Sequence, residues 1–217
     1  MDIAELRARL RAPYDPPAPL RTVQVVTDPP SFGAPVSSPE AVDLVEQPLT
    51  PAAVLVPFLF GREPGILLTK RTAHLNRHAG QVSFPGGRID PGDAGPEAAA
   101  LREAQEEIAL DPNRVELLGR LGDYVTGTGY VITPILGLLP DGLDLDKLGL
   151  TPSADEVAAV FSLPLSVLLD PKAPERRRAH YRGRWREFWV WPHPEHYIWG
   201  ATAAILVNVA ARLRGSG

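Results

Sequence analysis

Prolines are concentrated at the start of the chain, and this limits where regular structure can form. Ten of the 24 prolines fall within the first 51 of 217 residues. Each proline lacks a backbone N–H donor and biases the preceding residue toward extended conformations. We therefore predict an irregular arm over residues 1–50, with a short amphipathic helix at 3–11 and at most edge strands around 23–26. Residues 51–217 are predicted to form one compact domain.

The composition is that of a globular protein without thiol chemistry. Apolar residues make up 44% and charged residues 22%, which argues against disorder and coiled coil. The absence of cysteine excludes disulfides, thiolate metal sites and a cysteine nucleophile. A net charge of −4 provides no overall field for nucleic acid or an anionic membrane. The start of the chain lacks a signal-peptide pattern and no apolar stretch reaches the roughly 20 residues of a spanning helix, so a cytoplasmic location is expected.

Apolar runs and turn signals alternate irregularly, which predicts a mixed β-sheet with helices on its faces. Residues 52–60 and 66–69 flank a Gly- and Pro-containing turn and predict a hairpin. A helix over 96–109 is predicted from the proline at its start and from Asp111-Pro112 after its end. Further elements are strands at 115–121, 131–139 and 157–162, a second hairpin at 177–181 and 185–191, and helices at 165–169 and 201–213.

Three glutamates cluster on one side of the helix predicted over 96–109. At about 100° per residue, Glu103, Glu106 and Glu107 fall within an arc of roughly 100°. Taken alone, such a cluster is commonly a solvated acidic face. Hard divalent cations, however, prefer carboxylate ligands and often share them with substrate phosphates. The opposite side is expected to pack against the sheet through Ala98, Leu101, Ala104 and Ile108.

A glycine pair precedes this helix. Gly86 and Gly87 permit close backbone approach, which a loop that brings carboxylates to a phosphate needs. Gly87 is followed by Asp93 and then by the run R-E-A-Q-E-E-I-A-L over residues 102–110. This pattern resembles the Nudix hydrolase signature, G-x5-E-x7-R-E-U-x-E-E-x-G-U, with three departures. Asp93 replaces the first glutamate, one residue is inserted before the arginine, and Ala109 replaces the last glycine. The resemblance implies a Nudix-type α/β/α sandwich.

The upstream segment narrows the resemblance. Residues 67–87 read L-L-T-K-R-T-A-H-L-N-R-H-A-G-Q-V-S-F-P-G-G. They are similar to L-L-T-x-R-S-x3-R-x3-G-x3-F-P-G-G, the signature of the coenzyme A pyrophosphatase branch. Thr72 stands for the serine and Asn76 for the second arginine, and it is open whether the adjacent Arg77 takes over that arginine's role. The N-terminal arm is not covered by the resemblance.

The resemblance implies hydrolysis of coenzyme A (CoA) at its pyrophosphate, giving 3′,5′-ADP and 4′-phosphopantetheine, with Mg²⁺ or Mn²⁺ as cofactor. Glu103, Glu106 and Glu107 are expected to hold the metal. Arg102 is expected to orient these glutamates by charge-assisted hydrogen bonds, the alternative being a surface ion pair with Glu106 alone. Glu103 or Glu106 acts on the attacking water, or the later acid Glu156 does so, since a carboxylate bound to a cation is a poor base.

The expected substrate contacts surround the glycine pair. Guanidinium groups pair bidentately with phosphate oxygens, which favours the arginines nearby. His74 and His78 lie in the same loop, but without a serine or cysteine beside them they do not indicate a catalytic triad. The candidate substrate-binding residues are Arg71, Arg77, His78, Gly86, Gly87 and Arg88.

Two clusters near the C-terminus are less specific. Six arginines lie between Arg176 and Arg186, but their alternation with aromatic residues around Gly183 favours a hairpin over a nucleic-acid site. All four tryptophans lie between Trp185 and Trp199 and are expected in the core or in a homodimer contact.

The predicted partner is a small molecule, CoA, with neither nucleic acid nor membrane. Two other functions stay open: a Nudix pyrophosphatase for ADP-ribose or NADH, and a non-catalytic Nudix-fold binding module.

Overall fold

The computed structural model describes residues 1–12, 20–21, 24–25, 48–73, 79–126, 128–181 and 184–215. The helices are α1 (Ile3–Arg11), α2 (Pro96–Ile108), α3 (Leu165–Leu168) and α4 (Gly200–Arg214), with 3₁₀ turns at Pro112–Arg114 and Leu145–Lys147. The strands are β1 (Leu20–Arg21), β2 (Gln24–Val25), β3 (Thr50–Leu59), β4 (Gly65–Arg71), β5 (Val82–Ser83), β6 (Gly86–Arg88), β7 (Glu116–Arg120), β8 (Tyr124–Val125), β9 (Tyr130–Leu138), β10 (Val157–Pro164), β11 (Glu175–Tyr181), β12 (Arg184–Trp191) and β13 (Ile198–Trp199).

The central sheet is mixed, with the strand order β1-β8-β9-β3-β4-β10. Strand β3 runs parallel to β9 and antiparallel to β4, while the short strands β5, β6 and β7 pair with β4, β3 and β9. The predicted hairpin at 52–60 and 66–69 is the β3–β4 pair. The strands predicted at 115–121, 131–139 and 157–162 are β7, β9 and β10, so these predictions are confirmed.

Alternate residues of β3 face opposite sides of the sheet, as the two-residue period of a strand requires. Val56 and Phe58 pack in the core that α4 closes. Ala53 and Leu55 pack in the core that α2 closes. Each face of the sheet is therefore covered by a helix, and the predicted α/β/α sandwich is confirmed.

The second predicted hairpin is also present. Strands β11 and β12 pair antiparallel over their length, and β13 extends this smaller sheet. Glu187 pairs with Arg178 at 2.7 Å and with Arg176 at 3.6 Å, so described arginines of the cluster have carboxylate partners. Among the tryptophans whose side chains the structure describes, Trp191 is buried and donates to the Ala203 carbonyl, while Trp199 is 39% exposed.

The start of the chain is tied to the domain. Leu6 and Leu10 of α1 are fully buried in the core that α4 closes. Arg212 of α4, itself 9% exposed, donates to the carbonyls of Arg9, Leu10, Ala12 and Arg120. Strand β2 falls within the predicted edge-strand region and pairs with β12. The division of the chain at residue 50 stays a prediction. None of the helices in the described residues combines the length and apolar composition needed to cross a membrane.

Candidate active site

Helix α2 carries the candidate site, and local sequence determines both of its ends. It begins after Gly95 with Pro96 at the first position, where a missing N–H removes no helical hydrogen bond. It ends at Ala109, which is left-handed (φ 56°) and whose amide donates to the Gln105 carbonyl at 2.9 Å. A residue with a β-carbon costs on the order of 1 kcal/mol in this conformation. Alanine at the signature's glycine position thus keeps the helix end at a small cost.

Two glycines allow the loop before α2 to approach both the sheet and the helix. Gly86 and Gly87 lie in β6 and pair with β3. A β-carbon on Gly86 would clash with the carbonyl oxygen of Ala53, and one on Gly87 would lie 2.5 Å from the carboxylate carbon of Glu103. Gly86 therefore permits the contact with β3, and Gly87 leaves the space that the Glu103 side chain occupies.

Arg102 links this loop to the glutamates. Its guanidinium donates to both carboxylate oxygens of Asp93 at 3.0 Å, to Glu103 at 3.0 Å, to Glu106 at 3.1 Å and to the Arg88 carbonyl at 3.1 Å. Its hydrogen bonds lower the pKa of Asp93. Arg102 therefore contacts two of the three glutamates that it is predicted to orient, Glu103 and Glu106, and Asp93, at the signature's first glutamate position, anchors the arginine.

Glu107 is buried, although helical periodicity predicts it on the exposed face of α2. Its side chain is 3% exposed, accepts a hydrogen bond from the Gly86 amide at 3.2 Å and lies 3.6 Å from the Arg71 guanidinium. Burial raises the pKa of Glu107 to about 7, and the negative charges of Glu103 and Glu156 add to the rise, while the Gly86 amide and Arg71 oppose it. The expectation that all three glutamates share one face opposite the packed side is therefore wrong at this residue.

The error has a geometric cause. Angular spacing gives the relative directions of side chains on a helix, but not which direction meets the sheet. Ala98, predicted to pack, is partly exposed, and Leu101 is only partly buried against the core. The buried side of α2 is therefore rotated toward the glutamates. Small side chains on this side allow the helix to lie close to β3, where the Gly86 amide accommodates the Glu107 carboxylate. The buried residues of α2 are Ala99, Ala100, Ala104, Glu107 and Ile108.

The other carboxylates differ in exposure. The Glu103 side chain is 18% exposed, and burial raises its pKa while Arg102 opposes the rise. The Glu106 side chain is 59% exposed. Glu156 is exposed, and its negative charge contributes to the raised pKa of both Glu103 and Glu107. Within the part of the chain that the structure describes, no three Asp, Glu or His side chains are grouped so as to hold a metal ion. Glu103 and Glu106 accept hydrogen bonds from Arg102, and Glu107 accepts one from the Gly86 amide.

The predicted substrate-binding residues that can be located surround β6. Arg71 ends β4, is 26% exposed and faces Glu107. Arg88 is exposed, and its guanidinium donates to the Tyr130 hydroxyl at 3.1 Å and lies 5.8 Å from the centre of that ring. The Gly86 amide donates to the Glu107 carboxylate, and Gly87 lies against the Glu103 carboxylate. Outside the described residues lie His74, Arg77 and His78.

Sequence reasoning missed Tyr130 as a neighbour of the site. Tyr130 begins β9, which pairs with β3 on one side, while β6 and Arg88 pair with the same end of β3 on the other. The contact arises because both strands align on β3. No local signal around either residue indicates it.

The chain has a mixed sheet between helices, with a glycine loop and a glutamate helix meeting beside β3, and a NUDIX domain model matches residues 49–183. The chain belongs to the Nudix hydrolase family. The resemblance inferred from the motif is confirmed at this level, and the family takes small-molecule nucleotide substrates and generally uses a divalent cation such as Mg²⁺ or Mn²⁺.

Curated relatives agree with this assignment. The chain is 44% identical over 162 residues to a protein named uncharacterized Nudix hydrolase NudL from Cronobacter sakazakii, covering 75% of this chain and 82% of the relative. The protein of the same name from Escherichia coli K12 is 41% identical with the same coverage. Among solved structures, a MutT/nudix family protein from Enterococcus faecalis aligns with 99% of this chain and 75% of its own at 13% identity and a TM-score of 0.48.

Proposed function

We propose that this Nudix hydrolase is a coenzyme A diphosphatase. It hydrolyses the pyrophosphate bond of CoA, with CoA derivatives as further candidate substrates, to 3′,5′-ADP and 4′-phosphopantetheine. Water adds to one phosphorus, and the bridging oxygen leaves with the other. The observation that supports the proposal most is that the two motifs meet at one carboxylate. Arg71 of the upstream segment lies 3.6 Å from Glu107, and Gly86 donates to the same side chain.

The glutamates of α2 suit a hard divalent cation. Burial raises the pKa of both Glu103 and Glu107. The charge of Glu156 adds to both rises, that of Glu106 adds to the rise at Glu103, and that of Glu103 adds to the rise at Glu107. A cation between them offsets this repulsion and the cost of burial. We assign Glu103, Glu106 and Glu107 as ligands of Mg²⁺ or Mn²⁺. When bound, the cation neutralises charge on the diphosphate and supplies a water of lowered pKa.

Arg102 and Glu156 complete the proposed catalytic set with Glu103 and Glu106. Arg102 holds the latter two by charge-assisted hydrogen bonds, which restricts the directions in which their oxygens point. Glu156 is exposed close to the buried carboxylates and is the candidate acceptor for the proton of the attacking water. Glu103 and Glu106 are the alternatives, although a carboxylate that binds a cation is a weaker base.

The phosphate contacts are assigned to the arginines beside the glycine pair. Arg88 follows Gly87 in β6, and Arg71 at the end of β4 faces the Glu107 carboxylate that accepts from the Gly86 amide. There their guanidinium groups can pair with diphosphate or 3′-phosphate oxygens. Arg77 and His78 are assigned to substrate from their place in the upstream signature. Gly86 and Gly87 carry no side chain beyond Cα, so we assign to them the close approach of the backbone to the substrate phosphates.

Chromatographic product analysis tests the proposal. The purified chain is incubated with CoA, ADP-ribose or NADH, each with Mg²⁺, with Mn²⁺ and with EDTA. We expect metal-dependent release of 3′,5′-ADP from CoA and no comparable cleavage of the other two. Cleavage of ADP-ribose or NADH in place of CoA would assign a different Nudix activity, and no cleavage at all would favour a binding module.

A matched pair of variants tests the ligand assignment. Glu107→Gln should lower metal-dependent hydrolysis by orders of magnitude. Glu97→Gln, on the same helix but paired with Arg120, should retain it. Equal activity in the two variants would contradict the assignment of Glu107 as a metal ligand.

A further inference from the structure

Thr72 follows β4 and connects it to the turn that precedes β10. Thr72 is 6% exposed. Its hydroxyl donates to the Asp155 carbonyl at 2.9 Å, and its amide donates to the Glu156 carbonyl at 2.9 Å. Both bonds lie beyond the β4–β10 pairing, which begins at Arg71 and Val157. Thr72 therefore holds two successive carbonyls of the turn, one through its hydroxyl and one through its amide.

The same turn is attached to α2 on its other side. The Ser153 amide donates to the Glu107 carbonyl at 2.8 Å. Within the turn, the amides of Glu156 and Val157 donate to the Ser153 carbonyl at 3.0 and 2.8 Å. Residues 153–156 therefore bridge the end of the glutamate helix and the end of β4, and the Glu156 side chain projects from this bridge.

We propose that Thr72 is a positioning residue: its hydroxyl holds the 153–156 turn so that the Glu156 carboxylate stays beside Glu103 and Glu107. The inference rests on the proposed function, in which Glu156 accepts a proton from water. The required group is a buried hydroxyl donor, which serine and threonine both carry. This accounts for threonine at the signature's serine position. Valine has nearly the shape of threonine but cannot donate to the Asp155 carbonyl.

Thr202 provides a matched control. It is 7% exposed, and its hydroxyl donates to the Val82 carbonyl at 2.9 Å. Thr72→Val and Thr202→Val therefore remove the same kind of bond at similar burial, but Thr202 joins α4 to β5 and does not contact the turn. Thr72→Ser keeps the donor and tests rescue.

Amide hydrogen exchange of the full chain measures the positioning directly. The amides of Glu156 and Val157 report on the turn. We expect their exchange to be about fivefold faster in Thr72→Val, with wild-type rates in Thr72→Ser and Thr202→Val. Unchanged exchange in Thr72→Val, or an equal change in Thr202→Val, would overturn the proposal.

Kinetics with CoA and Mg²⁺ test the consequence for catalysis. Thr72→Val should lower kcat about tenfold with KM changed less than twofold, and Thr72→Ser should restore kcat. In a Glu156→Gln background, Thr72→Val should cause no further loss, because the group it positions is already gone. A fully additive loss would contradict the positioning role. If the wild-type chain does not hydrolyse CoA, the proposed function fails, while the exchange comparison still decides whether Thr72 holds the turn.

Discussion

Replacing Glu107 with glutamine should stabilise the protein while it removes the proposed hydrolysis. In the folded chain the Glu107 carboxylate is almost completely buried, with the Gly86 amide at 3.2 Å and the Arg71 guanidinium at 3.6 Å as its partners. Glutamine keeps an oxygen that can accept from Gly86 but removes the charge whose desolvation is unfavourable. Without metal, the variant should therefore be the more stable protein.

The pKa of Glu107 sets the size and the pH dependence of this effect. The difference between about 7 in the folded chain and the usual 4.5 corresponds, at 1.36 kcal/mol per pH unit, to about 3 kcal/mol. Because the folded pKa is raised, the folded protein binds this proton more tightly than the unfolded chain does. The associated stability is present below about pH 4.5 and is lost as the pH rises to about 7. Glu107→Gln avoids the loss and should gain about 6–12 °C in Tm at pH 8.5.

Urea unfolding in EDTA at pH 5 and pH 8.5 measures this difference. The variant should exceed the wild type by about 3 kcal/mol at pH 8.5 and by much less at pH 5. Glu97→Gln is the control of opposite sign, because Arg120 lowers the pKa of Glu97, and its loss should slightly destabilise the fold at pH 8.5. The reasoning is refuted if Glu107→Gln is no more stable than the wild type at pH 8.5, or if its advantage does not grow with pH.

Three further substitutions test other parts of the structure. Gly87→Ala should lower kcat by about tenfold or more, since its β-carbon would meet the Glu103 carboxylate. Gly92→Ala is the control: the space around Gly92 is open, so steady-state rates should not change. Equal rates in the two variants would contradict the packing argument. Arg102→Lys keeps the charge but loses the fork that joins the carboxylates, so urea unfolding should show a loss of about 1–3 kcal/mol. Arg212→Met should cost about 2–4 kcal/mol in thermal unfolding, because buried carbonyls at the end of α1 lose their donor; an unchanged Tm would show that this anchor is dispensable.

Local signals were sufficient for the long elements. The turn between residues 60 and 65 predicted the β3–β4 hairpin, and Pro96 predicted the start of α2. The two-residue strands β8 and β13 were not predicted, because so short a segment becomes a strand only where a neighbouring strand supplies its hydrogen-bond partners. Their existence depends on the sheet and not on their own residues.

The chemical groups of the candidate site, and their order, can be read along the chain. Gly86-Gly87, Arg102 and the three glutamates stand within about 20 residues of one another, and helical periodicity already brings Arg102 next to Glu106. Interactions over such short separations follow from local geometry. Their resemblance to the Nudix signature therefore indicated the class of enzyme before any tertiary contact was known.

Packing decided which of these groups are buried and which distant residues join them. Tyr130 reaches Arg88 across 42 residues, and Thr72 reaches the Asp155 carbonyl across 83. Such contacts require that strands far apart in the chain align on β3 and β4, and a helical wheel cannot indicate the side on which the sheet lies. For the same reason the burial of Glu107, which raises its pKa, emerged only when α2 packed against β3 beside the Gly86 amide.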